Sequence, residues 1–200
     1  HLREALDSVR YTFVENRRLR WGICLGVVMS IASFYPVWLI QPYMRHAGVP
    51  LSWFGPVWAG ANLTVALFSL LSHRVHDALG DCRMILLFGL LIVTGYLGLG
   101  LAGGMWGFLF YYLLTAMRGL RGPMMLHHIQ KLAPSANRAG ILSLQSLAFR
   151  LLFACTGPAV GAVADRAGVQ GAFRMLCLAF LLALPPLSLL FLRSLAPSRD

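Results

Sequence analysis

Beyond residue 20, long apolar runs alternate with short polar clusters. The runs fall at residues 21–43, 53–71, 84–101, 105–117, 141–164 and 172–192, the fourth continuing through the Arg118–Arg121 interface. A helix needs roughly 20 apolar residues to cross a bilayer, so the pattern predicts an all-α integral membrane protein with six transmembrane helices over residues 21–192. Gly103-Gly104 separates the third run from the fourth and predicts a tight turn there rather than one very long helix. Ahead of the runs, Leu2, Leu6, Val9 and Phe13 recur at helical spacing among charged residues. Residues 1–20 therefore read as an amphipathic helix lying on the membrane surface, and residues 193–200 as a short polar tail. The chain opens on His1 with no early apolar stretch, so no secretory leader is read, and the sequence is taken as a segment of a longer polypeptide.

Composition narrows the class. Hydrophobic residues make up 58% of the 200, and charged residues only 12%. A soluble domain is usually about one quarter charged, and this chain has too few charges to cover such a surface. The formal charge of +10 is spread over the gaps between apolar runs, which argues against a nucleic-acid stripe. Its placement instead reports orientation. With both ends in the cytoplasm, thirteen of the seventeen Lys and Arg fall in inner segments, three (Arg45, Arg166, Arg174) fall outside, and Arg150 lies within a crossing.

Candidate chemistry resides in the few polar residues of the crossings. Arg150 lies mid-run, where a lipid-exposed guanidinium costs on the order of several kcal/mol, so it should face protein or a watery cavity. Ser143, Arg150 and Gly157 follow one another at intervals of seven, with Ser146 beside them, and form a polar stripe on one helix face. Gln145 points elsewhere, toward a neighbouring helix. In the first crossing Tyr35 and Trp38 flank a bend expected at Pro36, Gln41 shares a face with Ser30, Phe34 and Val37, and in the second Asn62 can bond a helix or a solute. These residues are the cavity candidates. The crossings contain no Asp or Glu, so a proton-accepting carboxylate would have to come from elsewhere. The pairs His73/His76 and His127/His128 supply no complete metal shell and read as solvated interface residues, and the four cysteines lack ligand spacing.

Three stretches together carry a family resemblance. GPAVGAVADRAG at 157–168 ends the fifth run, with Gly157, Pro158, Gly161, Asp165, Arg166 and Gly168 shaping its close. RGPMMLHHIQKLAPSANRAGILSL leads into that run and includes Pro134, Arg138 and Gly140. Asp77, Gly80 and Arg83 match a reduced acidic–basic–glycine loop, with Ala78 and His73 departing from its pattern. With the amphipathic segment ahead of six runs, the chain resembles the second half of a major facilitator superfamily transporter.

That resemblance implies two three-helix inverted repeats, a first six-helix half in the same full-length chain, and a central cavity that alternates between the two sides of a membrane. It implies no cofactor and no enzymatic step. The expected function is secondary transport of a small organic solute, with efflux of an amphiphilic compound ahead of nutrient uptake and a proton or sodium ion as coupling ion. A non-transporting sensor or assembly subunit is the rival. The expected location is a bacterial inner membrane.

Overall fold

The computed structural model describes residues 10–133 and 138–195, and every regular element among them is helical. The helices are α1 (Arg17–His46), α2 (Phe54–Leu101), α3 (Leu109–Leu132) and α4 (Arg138–Leu195). Single 3-10 turns at Leu51–Trp53 and Met105–Phe108 precede α2 and α3. α1, α4 and the stretch Leu51–Leu101, which contains α2, are each long and apolar enough to cross a membrane. The fourth expected crossing is not among them, because Arg118 and Arg121 interrupt its apolar stretch.

Local chemistry explains the boundaries of α1. Asn16 is extended, and its side-chain oxygen accepts the Leu19 amide at 3.0 Å, an N-cap that starts the helix. At the far end the Val49 amide donates to the Met44 carbonyl at 2.9 Å and the Gly48 amide to that of Arg45 at 3.3 Å, a Schellman closure. Pro36 has no N–H to offer the Ala32 carbonyl four residues earlier. The Tyr96 hydroxyl donates to that carbonyl instead, at 2.7 Å, so a residue of α2 satisfies the group that the proline leaves free.

Gly80 and Gly168 interrupt α2 and α4. Their φ/ψ values of 71°/171° and 73°/166° belong to a region that only glycine enters without strain. The chain reverses at both. From Gly60 to Ser72, neighbours on α3 advance from Tyr112 to Leu120; past Gly80 they retreat, from Leu114 beside Gly95 to Phe110 beside Gly98. Along α4, neighbours on α1 advance from Gly26 beside Gln145, through Phe34 against Phe149, to Tyr35 bonded to Thr156. After Gly168 they run back, from Tyr43 against Phe173 to Gly22 beneath Phe191, and finally to Arg18, whose Nε donates to the Ser194 carbonyl at 2.8 Å. The start of α1 and the close of α4 therefore lie at one end of the bundle.

The packed centre joins Leu25, Met29 and Tyr35 of α1 with Phe88 and Tyr96 of α2 and Phe173 of α4. Gly119 lets α3 approach the α2 backbone closely, since a Cβ there would lie 2.5 Å from the Val65 carbonyl oxygen. At the end opposite the termini, Tyr43 and Gln170 both donate to the Ala102 carbonyl, at 2.9 and 2.6 Å, and cap α2. Large apolar side chains on the outer faces, including Leu63, Leu70, Leu86, Leu90, Leu147 and Leu182, are exposed. Contiguous apolar exposure of this kind suits lipid or another bundle rather than water.

The helices extend further than the apolar pattern indicates. The inner loop expected at residues 72–83 is helical except at Gly80, because the polar residues there tolerate helix where the bundle emerges from its apolar zone. Of the segment 1–20, the first nine residues lie outside the described ones; Tyr11–Glu15 forms a single π-helical turn, and Arg17, Arg18 and Arg20 already belong to α1. Pro134 and residues 196–200 also lie outside the described residues, while 193–195 continue α4.

Candidate functional site

Arg118 and Arg121 are the tenth and thirteenth residues of the 24-residue α3, so both occupy its middle. A spacing of three places them on one helix face. That face looks toward Ser30 and Ser33 of α1 and Gln145 and Ser146 of α4 across a cavity of about 390 Å³. The cavity exists because α3 and the first half of α4 barely touch and are held apart by α1. Phe34 and Phe149, ring centroids 5.1 Å apart and edge to face, form its apolar wall.

Hydrogen bonding leaves the cationic side of this cavity only partly satisfied. Arg121 Nη1 donates to the Gly26 carbonyl at 3.3 Å, and that oxygen also accepts the Ser30 hydroxyl at 2.7 Å. Arg121 Nε is shielded from solvent and has no hydrogen-bond partner. Among the described residues no carboxylate pairs with Arg118 or Arg121. Arg121 is therefore a largely enclosed guanidinium with no anion beside it, an arrangement that is costly without a counter-charge, whereas Arg118 is exposed. Gly26 keeps the wall thin, since a Cβ there would come within 3.0 Å of Gln145 Nε2. Gln145 thus faces α1, a neighbouring helix, as its position off the Ser143–Arg150 stripe predicts.

The structure brings together only one of the six cavity candidates taken from sequence. Ser146 lines the cavity, whereas Ser143 and Arg150 are exposed and do not line it, and Arg150 makes no hydrogen bond or ion pair among the described residues. Tyr35 is buried and bonds Thr156 on α4 at 2.5 Å. Gln41 lines a separate hollow of about 470 Å³ near the opposite end, with Arg45, His46 and Gly168. Asn62 is exposed, and its amide donates to the Trp58 carbonyl of its own helix at 2.9 Å.

The motif residues are equally dispersed. Gly157 and Gly161 have nothing of this chain within 4 Å of where a Cβ would stand, and Pro158 is exposed between them. Asp165 and Arg166 are exposed just before the Gly168 reversal. Arg83 is exposed, and Asp77 faces His76, with Oδ1 3.9 Å from Nδ1, rather than Arg83.

Sequence reasoning missed Arg118 and Arg121 because it ended the fourth run at Met117 and assigned both arginines to the membrane surface. Their i, i+3 spacing within a stretch that contains Gly119 and Gly122 was the available signal.

A second polar cluster flanks Gly80. His76 Nε2 and His128 Nε2 approach the same oxygen of Asp81, at 2.8 and 3.0 Å. Burial alone would raise the Asp81 pKa; the hydrogen bonds and charges of His76 and His128 outweigh that and hold it below the ordinary carboxylate value. Sequence spacing left these residues unconnected because they are 5 and 47 positions apart on two helices. Comparison of the chain with protein-family models, with curated proteins and with solved structures found no match.

Proposed function

We propose that this chain is a six-crossing half of a secondary transporter of the major facilitator kind, and that its central cavity takes a small amphiphilic organic anion for efflux. The observation that carries the proposal is the convergence of Arg118 and Arg121 on Ser30, Ser33, Gln145 and Ser146 at mid-bundle, with aromatic rings opposite. The two arginines hold the anionic end, the serines and Gln145 orient it, and Phe34 and Phe149 receive the apolar body. A volume of about 390 Å³ falls within the ordinary range for small-molecule sites, roughly 300–1,000 Å³.

Two further features support the reading. The reversals at Gly80 and Gly168 divide α2 and α4 in two, which supports counting six rods with both ends together. Such a bundle suits an even number of crossings, with both ends on the cytoplasmic side of a bacterial inner membrane. The exposed Ser143 and Arg150, with half-buried Gly157, form a stripe that a first six-helix half, encoded in the same polypeptide, would cover. Binding at the shared cavity then shifts the equilibrium between its two open states, and a proton or sodium gradient drives the cycle.

The test is flux by the complete native polypeptide in sealed proteoliposomes, using paired anionic and neutral analogues under imposed proton and sodium gradients. Gradient-dependent movement of the anionic members is expected, with Arg121→Gln lowering their flux at least about tenfold, the equivalent of a lost charged contact. Saturable binding without flux across the panel would instead favour a sensor or assembly subunit.

A further inference from the structure

We propose that His76, Asp81 and His128 bind one divalent transition-metal ion, of the zinc, cobalt or nickel class, which clamps the Gly80 reversal of α2 to the C-terminal end of α3. The site is separate from the arginine-lined cavity and does not depend on the transport reading.

Geometry carries the argument. One donor atom from each of the three residues lies within 4.8 Å of the others. In a tetrahedral shell with metal–ligand bonds of about 2.0 Å, neighbouring donors stand roughly 3.3 Å apart. The two histidine nitrogens lie 2.8 and 3.0 Å from Asp81 Oδ1, so those two separations need open by only a few tenths of an ångström, and the two nitrogens stand within 4.8 Å of each other. Without metal, both imidazoles must carry a proton on Nε2 to bond this single oxygen. An ion replaces both protons and draws on all three donors together.

The surroundings suit a metal shell. Asp77 Oδ1 stands 3.9 Å from His76 Nδ1, the ring nitrogen that faces away from the cluster, where an outer carboxylate commonly orients a ligating histidine. A hollow of about 20 Å³ adjoins the two histidines and is lined also by Ser72, His73 and His127. It has room for about one water molecule as fourth ligand. The Phe191 ring, centroid 6.0 Å from that of His128, forms an apolar wall behind it. Side-chain exposures of 15% for His128, 30% for His76 and 34% for Asp81 leave the cluster accessible to ions from water. Two imidazoles and one carboxylate suit zinc, cobalt or nickel, whereas calcium and magnesium require an oxygen shell.

The experiment uses the complete polypeptide in detergent, without a histidine tag, stripped with a chelator and then dialysed against Zn²⁺ or Co²⁺. One ion per chain is expected, bound saturably, with a tetrahedral Co²⁺ visible spectrum and two hyperfine-shifted imidazole N–H resonances. His128→Gln and Asp81→Asn should each weaken binding more than about tenfold, and His46→Gln should leave it unchanged. Absence of saturable binding, or wild-type affinity retained in both ligand variants, overturns the proposal. Should a ligand variant fail to fold, the wild-type Co²⁺ protein still decides: without the two shifted imidazole resonances the proposal fails.

Discussion

α1 and the first half of α4 are about equally long, run in the same direction and pack against each other, yet they occupy opposite environments. α1 is enclosed by α3, by the second half of α2 and by both halves of α4, and Leu25, Met29 and Ala32 have no exposed surface. The first half of α4 offers Phe149, Phe153 and Thr156 to α1, and leaves Ser143, Leu147, Arg150, Leu151 and Pro158 uncovered. Hydropathy does not separate the two helices, since both are strongly apolar. What differs is the number of neighbours, and an apolar face without a neighbour is one that lipid or a second bundle must cover. Arg150 on such a face argues for a cover that is not lipid alone.

The largest effect should come from breaking the enclosed side. Met29→Ala is expected to lower the unfolding free energy in mixed micelles by about 2–5 kcal/mol, through lost packing and the cavity left behind. Leu147→Ala, 53% exposed on the open side, should change it by no more than about 0.5 kcal/mol. Comparable losses at both positions would mean that the open face is covered within this chain.

Gly168→Ala probes the reversal that returns α4 to the same partner. A residue with a Cβ at φ 73° and ψ 166° should cost about 1–3 kcal/mol, measured in the same assay, although a Cβ there would meet no atom within 4 Å. A neutral result would show that the helix runs on without reversing. Tyr35→Phe, the smallest change, removes the hydroxyl bond to Thr156 that ties the two compared helices together, and should cost about 0.5–1.5 kcal/mol. A matching loss in Thr156→Val and no further loss in the double variant would assign the whole effect to that bond.

Much of the helical plan was legible in the apolar runs, because a stretch without hydrogen-bond partners for its backbone in lipid has to satisfy them internally. Gly80 and Gly168 were legible as motif glycines, and their positive φ supplies the physical reason for glycine there. The candidate site was much less legible. Arg118 and Arg121 read as surface charge, since a run of apolar residues ends where charges begin, and nothing along the chain indicates that Ser30, Ser33 and Gln145 surround them. Arg150 differs: its mid-run position calls for protein or a watery cavity around it, and within this chain it is exposed and unpaired among the described residues, so what covers it is legible in neither the sequence nor the fold.

Composition and periodicity alone determined that the protein is helical, is too apolar to face water, and bears its positive charge between its apolar runs. Only tertiary structure decided which helix is enclosed and that Tyr96 answers the carbonyl freed by Pro36. It also decided that His128 meets Asp81, 47 positions away, and through it His76. The reason is one of range. Backbone hydrogen bonding and burial act on neighbours along the chain and leave a periodic trace, whereas the meeting of side chains from different helices depends on how the rods pack, which no local pattern encodes.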